Sequence, residues 1–376
     1  MKFVVSSSAL LQRLQSVNRV IASKNTLPIL DNFLFELAGN TLTITASDSE
    51  TTLRTSMEID QVMEEGKAAV PSKILTDSLK EFPEQPISCS LNQESNLIEF
   101  TWATGNFQIP VYNAEDYPTS PVLDEGSQMV SFPAQVLLEG INRTLYAAAE
   151  EELRPVINGI FFDLKTSGAN LVASDSHKLV CYTRKDILAT VDESFILPKK
   201  PANILKNLLV KTATEDVQVS FDTKNAYFLF GSFQMLCRLV EGGYPAYRSV
   251  IPQNNPLKVI VDRGELMNAV RRVSVCANQA TNLLKLHFED NRINVSAQDL
   301  DFRVAAQETL SCQYDGTPIT MGFKSSFLVE ILSNLPGTEI CIALSDPSRV
   351  GLLSPVTPES DQEDICALIM PMMITA

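Results

Sequence analysis

The feature that most constrains this chain is an internal repeat. Leu27-Pro28-Ile29-Leu30-Asp31-Asn32 is matched by Arg154-Pro155-Val156-Ile157-Asn158-Gly159, which sets Pro28 and Pro155 127 residues apart. Ala46-Ser47-Asp48-Ser49-Glu50 returns as Ala173-Ser174-Asp175-Ser176-His177, and Val70-Pro71-Ser72-Lys73 as Leu197-Pro198-Lys199-Lys200. Gly105-Asn106-Phe107-Gln108 returns as Gly231-Ser232-Phe233-Gln234, and Tyr117-Pro118 as Tyr244-Pro245. Five stations in one order define a period, and a period decides the architecture before any single motif is read. A fainter third copy keeps phase through Leu283-Leu284-Lys285-Leu286-His287-Phe288, Ser296-Ala297-Gln298-Asp299 and Met321-Gly322-Phe323-Lys324, and Leu10, Leu137 and Leu266 open the three copies alike. Proline-bearing connectors near residues 120–126 and 251–256 then give three domains, 1-125, 126-253 and 254-376.

Inside a copy the hydrophobic period switches. The alternating Phe3-Val4-Val5 leads into Leu10, Leu14, Val17 and Ile21, whose spacing predicts one face of a helix. β-branched strands such as residues 41–46 follow, then a second strand, helix and strands over residues 67–101. Each domain reads as two helix-plus-sheet halves, an α+β fold class with helices on one side of antiparallel sheets.

A chain of 376 residues with 45% hydrophobic and 20% charged residues can bury a core in each copy. Its apolar runs, such as residues 33–37 and 367–373, are too short to span a bilayer, and the start lacks a signal peptide's apolar core, so no membrane partner and a cytoplasmic location are expected. Seven cysteines, Cys89, Cys181, Cys237, Cys276, Cys312, Cys341 and Cys366, contain no closely spaced pair and read as reduced thiols.

The net charge of −15 argues against a nucleic-acid partner until the positive residues are located. Residues 1–30 carry Lys2, Arg13, Arg19 and Lys24 with no acidic residue, and residues 194–214 carry Lys199, Lys200, Lys206 and Lys211 in the same way. Residues 266–286 add Arg271, Arg272 and Lys285. Each stretch covers a helix that opens a half-domain, whereas acidic residues gather at 58–65, 150–152 and 359–364. Any one such stretch is an ordinary solvated face, but recurrence on one repeat element predicts a basic surface that follows phosphates without reading bases. No aromatic residue is interleaved with these lysines and arginines, which favours a duplex backbone over stacked single strands.

Searches for catalytic chemistry end negatively. There is no phosphate-binding glycine loop or dinucleotide fingerprint, and two histidines leave little scope for a metal site, so no cofactor, no metal and no enzymatic activity are expected. Ser174-Asp175-Ser176-His177 holds the residue types of a hydrolytic triad, but adjacent residues on one turn do not converge on a substrate atom, and Ser47-Asp48 holds the same station in the first copy. The Asp is therefore expected to organise a turn. His287, between Leu286 and Phe288, reads as a structural strand residue.

The Leu-Pro-Ile-Leu station, Ser174-Asp175-Ser176-His177-Lys178-Leu179, the Gly-Tyr-Pro-x-Tyr-Arg-x-Val-Ile-Pro run at 243–252 and the ending Ile369-Met370-Pro371-Met372 together resemble the bacterial sliding clamp family, the DNA polymerase III beta subunits, over the whole chain. The resemblance implies two three-domain protomers closed head to tail into a homodimer ring around double-stranded DNA, with helices lining the hole. It implies DNA contacts at Lys24, Lys73, Lys199 and Lys200, to which the charge pattern adds Arg13 and Arg271. It also implies a pocket for short linear motifs of the replicative DNA polymerase, the clamp loader and repair proteins. That pocket maps onto Ser174, His177, Lys178, Leu179, Pro245, Val250, Val350, Leu368, Met370, Pro371 and Met372. Methionines suit a surface that must adapt to several partners. This chain departs from the family in the loop with Glu150 and Glu151, where a DNA contact becomes doubtful, and in its last residues, Met373-Ile374-Thr375-Ala376.

Overall fold

The computed structural model describes residues 1–124, 126–150, 153–210 and 216–374, so Glu125, Glu151, Glu152, residues 211–215 (Lys211 among them), Thr375 and Ala376 lie outside the described residues. Among the described residues, six helices each follow directly on a strand: α1 (Ser7–Val17), α2 (Ser72–Lys80), α3 (Ala134–Thr144), α4 (Lys199–Leu209), α5 (Arg263–Ser274) and α6 (Ser325–Asn334). Local chemistry starts them. Ser6 in extended backbone accepts the Ala9 amide at 3.1 Å, and Asp262 accepts that of Glu265 at 2.7 Å. Such caps are worth about 1 kcal/mol each. Leu10, Leu14 and Val17 are buried along one stripe of α1, and Leu266, Ala269, Val270 and Val273 along α5.

The apolar spacing predicts a longer first helix than the chain builds. Asn18 closes the last α-helical turn on the Leu14 carbonyl at 2.8 Å, Val20 then bonds Val17 at 3.1 Å in a tighter turn, and Ile21 falls in the loop beyond. Asn25 holds that loop by donating to Asp31 Oδ1 at 2.7 Å. Arg19 and Lys24 therefore lie after the helix and not on its polar face.

The described chain condenses into two compact units that do not follow the repeat boundaries: residues 1–138 with 203–239, and residues 139–202 with 240–376. The first unit contains a five-stranded sheet and an eight-stranded sheet. In the latter, Thr51–Glu58 of the first copy pairs antiparallel with Phe233–Arg238 of the middle copy, Leu53 facing Met235. The second unit has a four-stranded sheet and another eight-stranded sheet, where Lys178–Arg184 of the middle copy pairs with Glu363–Ile369 of the last. Consecutive copies are thus joined by main-chain hydrogen bonds, and the middle copy gives one half of its strands to each unit.

A half-covered strand buries every other residue, as Leu283–Glu289 does. Lys178–Arg184 is instead buried along nearly its whole length. Val180 and Tyr182 enter the large core with Leu266, Leu286, Phe288 and Ile331, while Leu179 and Cys181 on the opposite face join Leu368 and Tyr247 in a smaller cluster. That second, covered face positions the site. None of the described helices is long and apolar enough to cross a membrane.

Candidate functional site

The site begins with a turn. Asp175 Oδ1 accepts the amides of His177 at 2.9 Å and Lys178 at 2.8 Å, which bends the chain between Gly168–Ser174 and Lys178–Arg184 with Ser176 in the left-handed region. The device recurs at the same station of the other two copies. Asp48 accepts Glu50 and Thr51 at 3.0 and 2.7 Å, and Asp299 accepts Asp301 and Phe302 at 2.9 and 3.2 Å. Ser174 Oγ donates to the Lys178 carbonyl at 2.8 Å and accepts the Ser176 amide at 3.1 Å, so its hydroxyl serves the turn.

Lys178 is buried, its ammonium 2.6 Å from Asp175 and 3.0 Å from Glu330 and over the Phe327 ring at 4.5 Å. It acts as an internal strut and offers only its stem to a ligand. The floor beside it is apolar, with Leu179 opposite Leu368 across the two strands. The connector closes one side: Tyr244 stacks on Phe161 with centroids 4.6 Å apart, and Tyr247 donates to Asp163 Oδ2 at 2.7 Å while Arg248 reaches the same oxygen at 2.9 Å. Burial pushes the phenols of Tyr244 and Tyr247 well above their ordinary range, so both stay protonated.

These elements enclose a cavity of about 290 Å³. Ser174, His177, Lys178, Leu179, Pro245, Val250, Val350, Leu368 and Met370 all line it. Met370 and Val250 form an exposed apolar rim at 47% and 53% exposure over a buried Leu179–Leu368 floor. Pro371 and Met372, also expected here, do not line it: the Met372 amide bonds the Gly322 carbonyl at 2.8 Å and draws the chain end to the last copy's sheet. Ile157, Ser176, Tyr244, Ala246 and Tyr247 line the cavity in addition to the residues that the resemblance implies. Tyr244 carried a signal, since it repeats Tyr117. A volume at the low end of ligand sites, roughly 300–1,000 Å³, suits one or two apolar side chains. The second histidine stands apart: His287 Nδ1 lies 2.8 Å from Thr320 Oγ1 on the four-stranded sheet. Among the described residues no cluster of three or more His, Cys, Asp or Glu could hold a metal ion.

The basic residues divide by their partners. Lys24 and Lys73 are exposed, and Lys73 borders a depression shared with Asn18, Ala22 and Ser23 of the loop that leads to Lys24. Arg13 is half-buried; its guanidinium donates to Ser232 Oγ and lies over the Phe233 ring at 5.9 Å. Lys199 at the start of α4 pairs with Glu150, and Lys200 beside it is exposed. At the end of α5, Arg272 forms a fork with Glu308, while Arg271 is exposed and reaches Ser333 Oγ at 3.4 Å.

Models of the DNA polymerase III beta subunit match in order: the N-terminal domain over residues 1–121, the central domain over 131–246 and the C-terminal domain over 248–373. The chain is 28% identical over 349 residues to the beta sliding clamp of Proteus mirabilis, covering 92% of this chain and 94% of that one. It is 27% identical to the beta sliding clamp of Pseudomonas aeruginosa over the full length of both. A crystal structure of a Pseudomonas aeruginosa DNA polymerase sliding clamp with ligand superposes over both whole chains with a TM-score of 0.93 at 26% identity. Another from that organism, bound to griselimycin, does so with a TM-score of 0.94 at 25% identity. With all three domain models matched in sequence order across a threefold repeat, the chain belongs to the DNA polymerase III beta subunit family.

Proposed function

We propose that the chain is the protomer of a ring-shaped homodimer, closed head to tail, that encircles duplex DNA without reading its sequence and works as a processivity factor of cytoplasmic DNA replication. The observation that carries the reading is the apolar cavity with its exposed Met370 and Val250 rim over the Leu179–Leu368 floor. It takes the apolar side chains of short linear motifs from the replicative polymerase, the clamp loader and repair proteins, and so tethers them to DNA. The role is non-enzymatic, in keeping with a Ser174 hydroxyl engaged by the Lys178 carbonyl.

A closed ring turns weak phosphate contacts into long residence, because leaving requires an interface to open. Lys24, Lys73, Lys200 and Arg271 are assigned to the phosphate track, and Lys199 and Arg13 join it by exchanging Glu150 and Ser232 for phosphates. The expected domains remain 1-125, 126-253 and 254-376.

Light scattering tests the ring: a particle of twice 41.4 kDa is expected, and a strict monomer at micromolar concentration would sink the proposal. Loading onto nicked circular DNA tests the track. Changing Lys24, Lys199 and Lys200 together to Glu should abolish retention, whereas a scaffold that binds only proteins would be unaffected. Griselimycin, which a related clamp binds, should displace a Gln-x-x-Leu-Phe peptide from this one.

A further inference from the structure

Where the middle copy meets the last, Cys181 stands directly opposite Cys366 on antiparallel strands. Two bonds fix the phase of the ladder: the Met370 amide to the His177 carbonyl and the Lys185 amide to the Gln362 carbonyl, each 2.9 Å. Four residues from either, Cys181 and Cys366 form a hydrogen-bonded pair, whose Cα atoms sit about 5.5 Å apart. That lies within the roughly 4.4–6.8 Å a disulfide spans. Opposed residues share a face, and this face is the pocket's: Cys181 clusters with Leu179, Leu368 and Tyr247, and Cys366, Tyr244 and Val350 pack against that cluster.

The other strand cysteines face no thiol. Cys89 opposes Phe3 and Phe100, Cys237 opposes Ala226 and Thr51, and Cys341 opposes Ile260 and Ser354. Within the pair, the neighbouring Cys366 thiol holds Cys181 below the ordinary thiol range while Cys366 itself is held above it, and Cys181 Sγ also lies 3.9 Å from Asn170 Oδ1 and 3.8 Å from Thr183 Oγ1. Cys181 is therefore the sulfur that ionises first.

We propose that Cys181 and Cys366 are a modification site, a dithiol that hydrogen peroxide closes into a cross-strand disulfide, and that closure weakens peptide docking in the adjoining pocket. The Cys181 thiolate attacks a peroxide oxygen and becomes a sulfenic acid as hydroxide leaves and takes up the proton the thiol released. The Cys366 thiolate then attacks that sulfur and expels hydroxide, so two thiols and one peroxide give one disulfide and two waters. Opposed Cβ atoms in a ladder lie about 4.5–5.5 Å apart, against about 3.8 Å in a disulfide. Closure therefore pulls the strands inward two residues from Leu179 and Leu368. The resulting strain keeps the bond easy to reduce, as a reversible switch in a reducing compartment requires.

The coupling to docking rests on the pocket reading, and the experiment separates the two. The full-length chain is treated with hydrogen peroxide, blocked with N-ethylmaleimide and mapped by mass spectrometry, while a labelled Gln-x-x-Leu-Phe peptide is titrated before and after. A Cys181–Cys366 linkage reversed by dithiothreitol is expected, absent in Cys181→Ser and in Cys366→Ser. The peptide Kd should rise about threefold or more on oxidation of the unsubstituted chain, a change of about 0.6 kcal/mol, and stay constant in Cys366→Ser. Free thiols at both positions under peroxide that oxidises Cys276 would overturn the proposal, as would a mapped linkage with unchanged Kd. Failure of the reduced chain to bind peptide would break the pocket reading instead, leaving the linkage to stand or fall by mass.

Discussion

The two joints between consecutive copies share a backbone and differ in chemistry. At each, a strand after an Asp-centred turn pairs with a strand of the next copy, and a Tyr-Pro connector runs nearby, Tyr117-Pro118 in one and Tyr244-Pro245 in the other. At the first joint the cross-strand rows are Thr52 with Leu236 and Arg54 with Gln234; at the second they are Leu179 with Leu368 and Cys181 with Cys366. The first cleft, about 590 Å³, is crossed by polar pairs, with Lys67 2.9 Å from Glu36 and Arg54 Nε donating to Thr45 at 3.2 Å. The second is about half that size and apolar on its floor. Architecture supplies a cleft at both joints, and on the proposed function two rows of side chains decide which one takes an apolar peptide.

The comparison breaks or sharpens under substitution. The largest effect is expected from Leu179→Thr, which installs the first joint's residue in the second joint's floor: peptide affinity should fall on the order of tenfold to a hundredfold, about 1.4–2.8 kcal/mol. Thr52→Leu should create no binding, because Arg54 and Gln234 remain; isothermal titration of both variants decides. Met370→Ala should cost less, about fivefold, since a half-exposed rim residue excludes less water; an unchanged Kd would remove the rim from the site.

Stability should differ in the same direction. Asp175→Ala strands two amides and also releases the Lys178 ammonium, so it should cost about 2–3 kcal/mol, against about 1–2 for Asp48→Ala, where Thr51 holds the place of Lys178. Urea unfolding followed by hydrogen exchange at each turn distinguishes them, and equal losses would contradict the strut assigned to Lys178.

The smallest effect is a pH dependence confined to the second joint. Arg184 donates to Asp186 at 2.7 Å and holds its carboxyl below the usual carboxylate range, while Met57 and Ile59 hold the matching positions at the first. With a lowered folded value, the stabilisation is present above the unfolded range near 3.9 and is lost as pH falls through the folded value. Asp186→Asn should therefore cost about 0.5 kcal/mol near pH 7, a small figure because the pair is partly exposed. That deficit should vanish once pH has fallen through the folded value. A deficit independent of pH would assign the loss to packing.

Legibility in the sequence followed the range of each interaction. The Asp turns and the strand–helix alternation lie within a few residues of a repeated string that announces them, whereas the pocket lining follows from the family resemblance. The extra turns expected of α1 were not built, because apolar spacing cannot see that Val20 bonds Val17. The partners of Arg13 and Lys199 were invisible for another reason: Ser232 and Glu150 are distant in sequence and carry no mark of their role. Tyr247 belongs to the Gly-Tyr-Pro-x-Tyr-Arg run, but nothing in that run names Asp163, the distant residue that orients it. The pairing of copies through their sheets was equally hidden, since a strand's own pattern does not name its neighbour.

That shared sheet also has a consequence for the protein's birth on the ribosome. Thr51–Glu58 is complete about 175 residues before its neighbour Phe233–Arg238 begins, and Lys178–Arg184 waits about as long for Glu363–Ile369. At a synthesis rate of about 5–20 residues per second, each half-finished sheet shows a raw edge for on the order of ten to thirty seconds. An unpaired edge is a template for any passing strand, including one from the next nascent chain on the same message. Translation speed between the copies is therefore a quantity this protein's folding yield should obey.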